Sequence, residues 1–161
     1  MAPSWPAPTP DPPDPATTTE IAAGVLGSLL AKATASVYPK VPAVQLRALE
    51  FIGANEPINL TRLTEELGTI ASSASRVCDR LQAAGLLDRR PATADRREVE
   101  LVLTSDGASL LDRLRAARRA GLAEVLERMS AQGQGALLRG LREFTAVVTT
   151  SAQSVPQQDT A

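Results

Sequence analysis

The sequence predicts a mainly α-helical chain carrying a small two- or three-stranded β-wing. Three observations point there. Apolar residues recur at three- and fourfold spacing through successive stretches, the period of a helix face. Two short runs, LLDRR at 86–90 and VELVL at 99–103, bracket the polar segment PATADRRE, the pattern of antiparallel strands joined by a long loop. Gly, Pro and Asn stand where the helical stretches stop and start.

Residues 1–16, MAPSWPAPTPDPPDPA, have no apolar period and few backbone donors, so a disordered, Pro-rich tail is expected, with a docking peptide as the sharper alternative. Thr17 and Glu20 have the spacing of a capping box, which starts the first helix at Thr17. Its stripe is Ile21, Val25, Leu29 and Ala33, and it runs to about Val37 before Pro39. Pro42 suits the first turn of a second helix with Val44, Leu46, Leu49 and Ile52, which breaks at GANEP, residues 53–57. Asn59 caps a third helix, LTRLTEEL, closed by Gly68. A fourth runs from about Ile70 to Ala84, with Ala74, Val77, Cys78 and Leu81 inward and Gly85 as its stop. After the hairpin, whose second strand puts Val99, Leu101 and Leu103 on one face, Thr104 caps a long fifth helix reaching about Met129. Its apolar face holds Leu110, Leu114, Ala117, Gly121 and Val125, widened by Leu111, Leu122, Leu126 and Met129. Ser130, Gly133 and Gly135 mark a break before a sixth helix with Leu137, Leu141, Phe144 and Val148. Residues 151–161 are expected to be a frayed polar tail.

This order makes residues 41–104 a winged helix-turn-helix expected to define its own core. The first helix, residues 17–40, and the last two, 105–150, carry apolar faces larger than so small a module can cover. They are therefore expected to form a dimerisation region, packing on the same helices of a second copy.

Composition removes several functions. The 161 residues include no His and one Cys, so neither an ordinary zinc site nor a Ser-His-Asp or Cys-His arrangement can be assembled. The acidic residues are scattered over helix surfaces without a paired acid/base constellation, so no enzyme, metal or cofactor is expected. Trp5, Tyr38, Phe51 and Phe144 are too few for base-stacking platforms. The longest apolar stretch, 21–31, falls far short of the ~18 residues a membrane span needs, and no positively charged start precedes an apolar block, so a cytoplasmic chain without a signal peptide is expected. A lone thiol suits that reducing compartment. Formal net charge is -1, yet every basic residue except Lys32 and Lys40 is Arg. Arg favours bidentate recognition of phosphate and base edges, although genomic base composition explains much of such a bias.

The informative stretch is 73–107, SASRVCDRLQAAGLLDRRPATADRREVELVLTSDG. Its SRVCDRL followed by AAGLLDRR, its Asp95-x-Arg97 pair, and Leu103-Thr104 with Gly107 at a helix start resemble the MarR-type winged-helix family of bacterial transcriptional regulators. The element order of residues 20–150 is similar to that family as well. The resemblance implies a homodimeric regulator, most often a repressor, that binds an inverted repeat in double-stranded DNA, and it implies that the fourth helix reads the major groove. The residues support that independently. Ser72, Ser73, Ser75 and Arg76 lie on the first turns of that helix opposite its apolar face; short hydroxyls let a helix sit deep in the groove, and Arg reaches guanine O6 and N7. The competing account is a merely solvated helix face. Arg80 is a phosphate candidate or an internal ion-pair partner with Asp79, and Arg62 is a weaker phosphate candidate.

Arg89, Arg90, Arg96 and Arg97 gather about the wing loop. In the resembling family the second residue of the Asp-x-Arg pair enters the minor groove, which maps to Arg97, and Arg96 is a phosphate contact. Asp95 is placed to orient the wing by pairing with a guanidinium, and stapling the hairpin is its structural alternative. Two features depart from the family. Where a Ser commonly caps the recognition helix stands Ile70, leaving Thr69 as the expected cap. The reactive Cys of the thiol-based sensors is absent from the first helix, and Cys78 falls on an apolar face, where an inert thiol is expected. Family members commonly bind small aromatic or phenolic effectors between dimerisation helices and winged domain; the sequence marks no such pocket. The alternative from another class is a winged-helix protein-interaction module without specific DNA binding.

Overall fold

The computed structural model describes residues 14–92 and 99–153. Helix α1 (Pro15–Ala35) opens ahead of Thr17, because Asp14 rather than Thr17 is the cap. The Asp14 carboxylate accepts from Thr17 N at 3.0 Å and from Thr17 Oγ1 at 2.9 Å, and Pro15 supplies a preset φ at the first helical position. Thr17 is thus a donor inside the helix, and the expected capping box with Glu20 gives way to this earlier one.

Pro42 immediately precedes α2 (Ala43–Asn55). A two-residue strand β1 (Ile58–Asn59) leads into α3 (Leu60–Leu67), α4 (Ala71–Ala83), β2 (Leu87–Pro91), β3 (Val99–Leu103), α5 (Ser105–Leu126) and α6 (Ala131–Gln153). The sheet has order β1-β3-β2 and is antiparallel throughout. Mainly helical architecture with a small antiparallel sheet is therefore as expected, the wing having the third strand that its second strand needed as an inner neighbour. Among the described residues no helix is long and apolar enough to cross a membrane.

The chain divides into two compact units, Met1–Arg119 and Ala120–Ala161. In the first, Leu46, Leu49 and Ile52 of α2, Leu63 of α3, Cys78 and Leu81 of α4, and Leu87 and Leu101 of the sheet form one buried cluster. Leu110, Leu111 and Leu114 of α5 belong to the same cluster. The expectation that residues 41–104 define their own core is corrected here: the first turns of α5 complete it. Gly107 is the reason. A Cβ there would lie 2.2 Å from the Leu86 carbonyl oxygen, so only glycine allows α5 to approach the backbone before β2 this closely. Thr104 fixes the approach, its Oγ1 accepting from Gly107 N at 3.0 Å and donating to Gly85 O at 2.6 Å.

α1 buries none of its residues: Ile21 and Val25 are 65% and 67% exposed. In the second unit Ser130 caps α6 by accepting from Gly133 N at 3.1 Å, and Leu137, Leu141, Phe144 and Val148 are exposed.

Candidate nucleic-acid interface

The helix-turn-helix is α3 and α4. Asn59 caps α3 by accepting from Arg62 N at 3.1 Å, and Gly68 closes it at φ 58°, a left-handed conformation that costs glycine little. The turn is tied from behind by Arg47 of α2, which donates to the Glu66 carbonyl at 2.6 Å and pairs with its carboxylate at 3.2 Å. α4 enters without a side-chain cap. Ile70 occupies the cap position and only its carbonyl takes part, accepting from Ser73 N and Ala74 N. Thr69, the expected cap, does not fill that role, because the helix starts at Ala71 and the extended residue at the cap position is Ile70.

Helical spacing sorts the candidate residues of α4. Ala74, Cys78 and Leu81 are buried. Ser72, Arg76 and Arg80, one turn apart, are exposed, with Ser73 half-buried beside them. Among the described residues none accepts from the guanidinium of Arg76 or Arg80, nor from Arg62 on α3. Asp79 is ion-paired, but with Arg89 and not with Arg80. Ser75 stands apart from the other serines. It is half-buried, and both its carbonyl and its hydroxyl face Arg89, at 3.4 and 3.5 Å.

The wing strands carry Arg89 and Arg90 with opposite fates. In β2 alternate residues share a face, so Arg89 lies on the face of Leu87, though itself exposed, and its register partner on β3 is the buried Leu101. Arg90 points the other way and meets Asp88 at 3.5 Å. Arg89 meets α4, through Asp79 and Ser75. This parity was readable from Leu87 alone, two residues ahead of Arg89, although which acid would meet the guanidinium was not. Asp95, Arg96 and Arg97 lie outside the described residues.

Comparison with known proteins bears on this geometry. The sequence model of the MarR family matches residues 40–98. A structure of RV1404 from Mycobacterium tuberculosis is 32% identical, with 88% of this chain and 97% of that one covered and a TM-score of 0.76. The chain belongs to the MarR family. An uncharacterized HTH-type transcriptional regulator of Bacillus subtilis, YhjH, is 35% identical over 66 residues, 41% of this chain and 38% of that protein's length. At fold level the chain is also similar to Streptococcus pneumoniae FabT, whose crystal structure is a complex with DNA: TM-score 0.68 and 16% identity over 85% of this chain and 99% of that one.

Two other sites in this MarR-family chain have defined surroundings. Cys78 is fully buried, and that burial pushes its thiol up from the ordinary range against the opposing pull of Arg89, which keeps it protonated and unreactive. Between α1, α2 and the first part of α5 lies a cavity of about 520 Å³ that the sequence did not mark. Leu30, Val37, Leu46 and Leu114 give it apolar walls, and Lys40 and Arg118 are its cations. Arg118 is held there by donating to Thr34 Oγ1 at 3.0 Å and to the Glu50 carboxylate, so one side chain of α5 ties α1 to α2.

Proposed function

We propose that this MarR-family protein is a homodimeric transcriptional regulator that binds an inverted repeat in double-stranded DNA, as a repressor in a cytoplasmic compartment. The observation that carries it is the stripe of Ser72, Arg76 and Arg80 on α4, with Ser73 half-buried beside them: donors on the second helix of a helix-turn-helix that are exposed and, among the described residues, without a protein partner, while Ala74, Cys78 and Leu81 of that helix's other face are buried. Recognition helices use such a stripe to reach base edges and phosphates. Arg97 of the wing enters the adjacent minor groove, Arg96 contacts phosphate and Asp95 orients the loop. The fold-level similarity to FabT, whose crystal structure is a complex with DNA, supports DNA as the partner.

Dimerisation is supported by exposed Ile21, Val25 and Leu26 on α1 and exposed Leu137, Leu141 and Phe144 on α6, apolar residues that a second copy would cover. The two recognition helices would then meet successive major grooves about 34–36 Å apart. The cavity beside Lys40 and Arg118 suits a small aromatic or phenolic effector, which would release DNA by favouring a spacing of the recognition helices that no longer matches the groove.

Selection of bound sequences from a randomised duplex pool tests class, symmetry and target together. An inverted repeat is expected, with affinity falling steeply as salt rises. Arg97→Ala should weaken binding by about 1–3 kcal/mol if that side chain reads the groove. Selection of no sequence, with Arg97→Ala silent, is the outcome expected of a protein-interaction module instead.

A further inference from the structure

Two readers of one DNA site, a helix in the major groove and a wing in the minor groove, must be held at a fixed spacing to engage together. One side chain of the wing that reaches α4 is Arg89. The register of β2 turns its side chain onto the same sheet face as Leu87 and opposite Leu101, toward α4. There its Nη2 pairs with Asp79 Oδ1 at 2.7 Å and lies 3.4 Å from the carbonyl and 3.5 Å from the hydroxyl of Ser75, while Nη1 lies 3.5 Å from Gln82 Oε1. Three residues over two turns of α4 are thus gripped by one planar fork, and the fork sits just ahead of Pro91, where β2 ends and the wing loop follows. A planar guanidinium fixes orientation as well as distance, which an ammonium on a flexible stem does not.

We propose that Arg89 is a positioning residue for DNA recognition, locking the wing root to α4 through Asp79 and Ser75, and that it makes no contact with DNA itself. The role rests on the DNA-binding reading above and deepens it. Ser75 accordingly acts as part of the lock, leaving Ser72, Ser73, Arg76 and Arg80 as the face of α4 presented to the groove.

The test is binding of the full-length protein to its selected duplex and to a random duplex of equal length, each over a salt series. Arg89→Ala and Asp79→Asn should each lower affinity for the selected site roughly tenfold while leaving random-duplex binding and the salt slope unchanged, since misplacing a reader loses sequence discrimination and not counterion release. The double variant should be no worse than either single one, because both remove one contact. Arg89→Lys should behave like Arg89→Ala, and the charge exchange Asp79→Arg with Arg89→Asp should recover part of the loss. A salt slope reduced by about one in Arg89→Ala, with both duplexes weakened alike, would mark a direct phosphate contact and overturn the proposal. Additive losses in the double variant would overturn it as well. If Arg89→Ala does not fold, Asp79→Asn and the charge exchange decide the same question. Wild-type protein that selects no sequence removes the regulator reading and this role with it; wild-type protein that selects a site which Arg89→Ala still prefers equally removes only the role of Arg89.

Discussion

At Ile70 a helix meant to face a polar surface starts with an apolar side chain that is 68% exposed and caps nothing. The orphan amides of the first turn of α4 are thus left to solvent or to an incoming ligand. Ile70→Ser should supply the missing acceptor and raise stability by about 1 kcal/mol, read as a higher urea midpoint at unchanged slope. Asp14 is the opposite case, a cap that was hidden among prolines. The Thr17 amide and hydroxyl hold its carboxyl below the ordinary aspartate range. Because the folded-state value is depressed, its contribution is complete above the unfolded-state value and is lost as pH falls through the lowered one. A carboxyl-carbon NMR titration should place the Asp14 midpoint below that of an unstructured aspartate. Protonation should lower the protection factor of the Thr17 amide, and Asp14→Ala should abolish that pH-dependent change in protection.

Among the elements, the decisive junction is α5 against the turn before β2. Periodicity assigns Leu110, Leu111 and Leu114 to a helix face but is silent on what that face meets. The meeting depends on Gly107, where the absent Cβ admits the Leu86 carbonyl, and on the Thr104 hydroxyl that bridges the two segments. Gly107→Ala should cost about 1–3 kcal/mol, measured by thermal or urea unfolding, since the clash is with backbone that cannot rotate aside. The strands tell a similar story. β2 and β3 were legible as apolar runs about a polar loop, whereas β1 has two residues and no period to detect; only its pairing of Ile58 with Leu101 defines it.

For the molecule as a whole, a formal charge of -1 looks unpromising for a nucleic-acid partner. Placement overrides the sum. Arg62, Arg76 and Arg80 sit on α3 and α4 with no acid paired to them among the described residues, while two acids of the same helices are engaged with other arginines, Glu66 with Arg47 and Asp79 with Arg89. The exposed apolar residues of α1 and α6 make assembly the other whole-molecule question. Phe144→Glu, at a 58% exposed position, should leave the winged helix-turn-helix folded yet convert a dimer to a monomer in sedimentation equilibrium. Loss of the second half-site contact should weaken operator binding with it. A variant that stays dimeric would place the contact between copies away from α6.

By itself the sequence determined the helices, the hairpin, the absence of catalytic histidine chemistry, and the polar stripe of α4, because each depends on residue type and local period. Tertiary structure decided what period and type leave open. It turned Arg89 away from Arg90 and onto Asp79 and Ser75, it drew α5 into the core through a glycine with no side chain to read, and it opened the cavity beside Arg118. All three depend on which surfaces meet across long sequence separations, and a contact of that kind is fixed by the packing of the whole core and not by the neighbours of either residue along the chain.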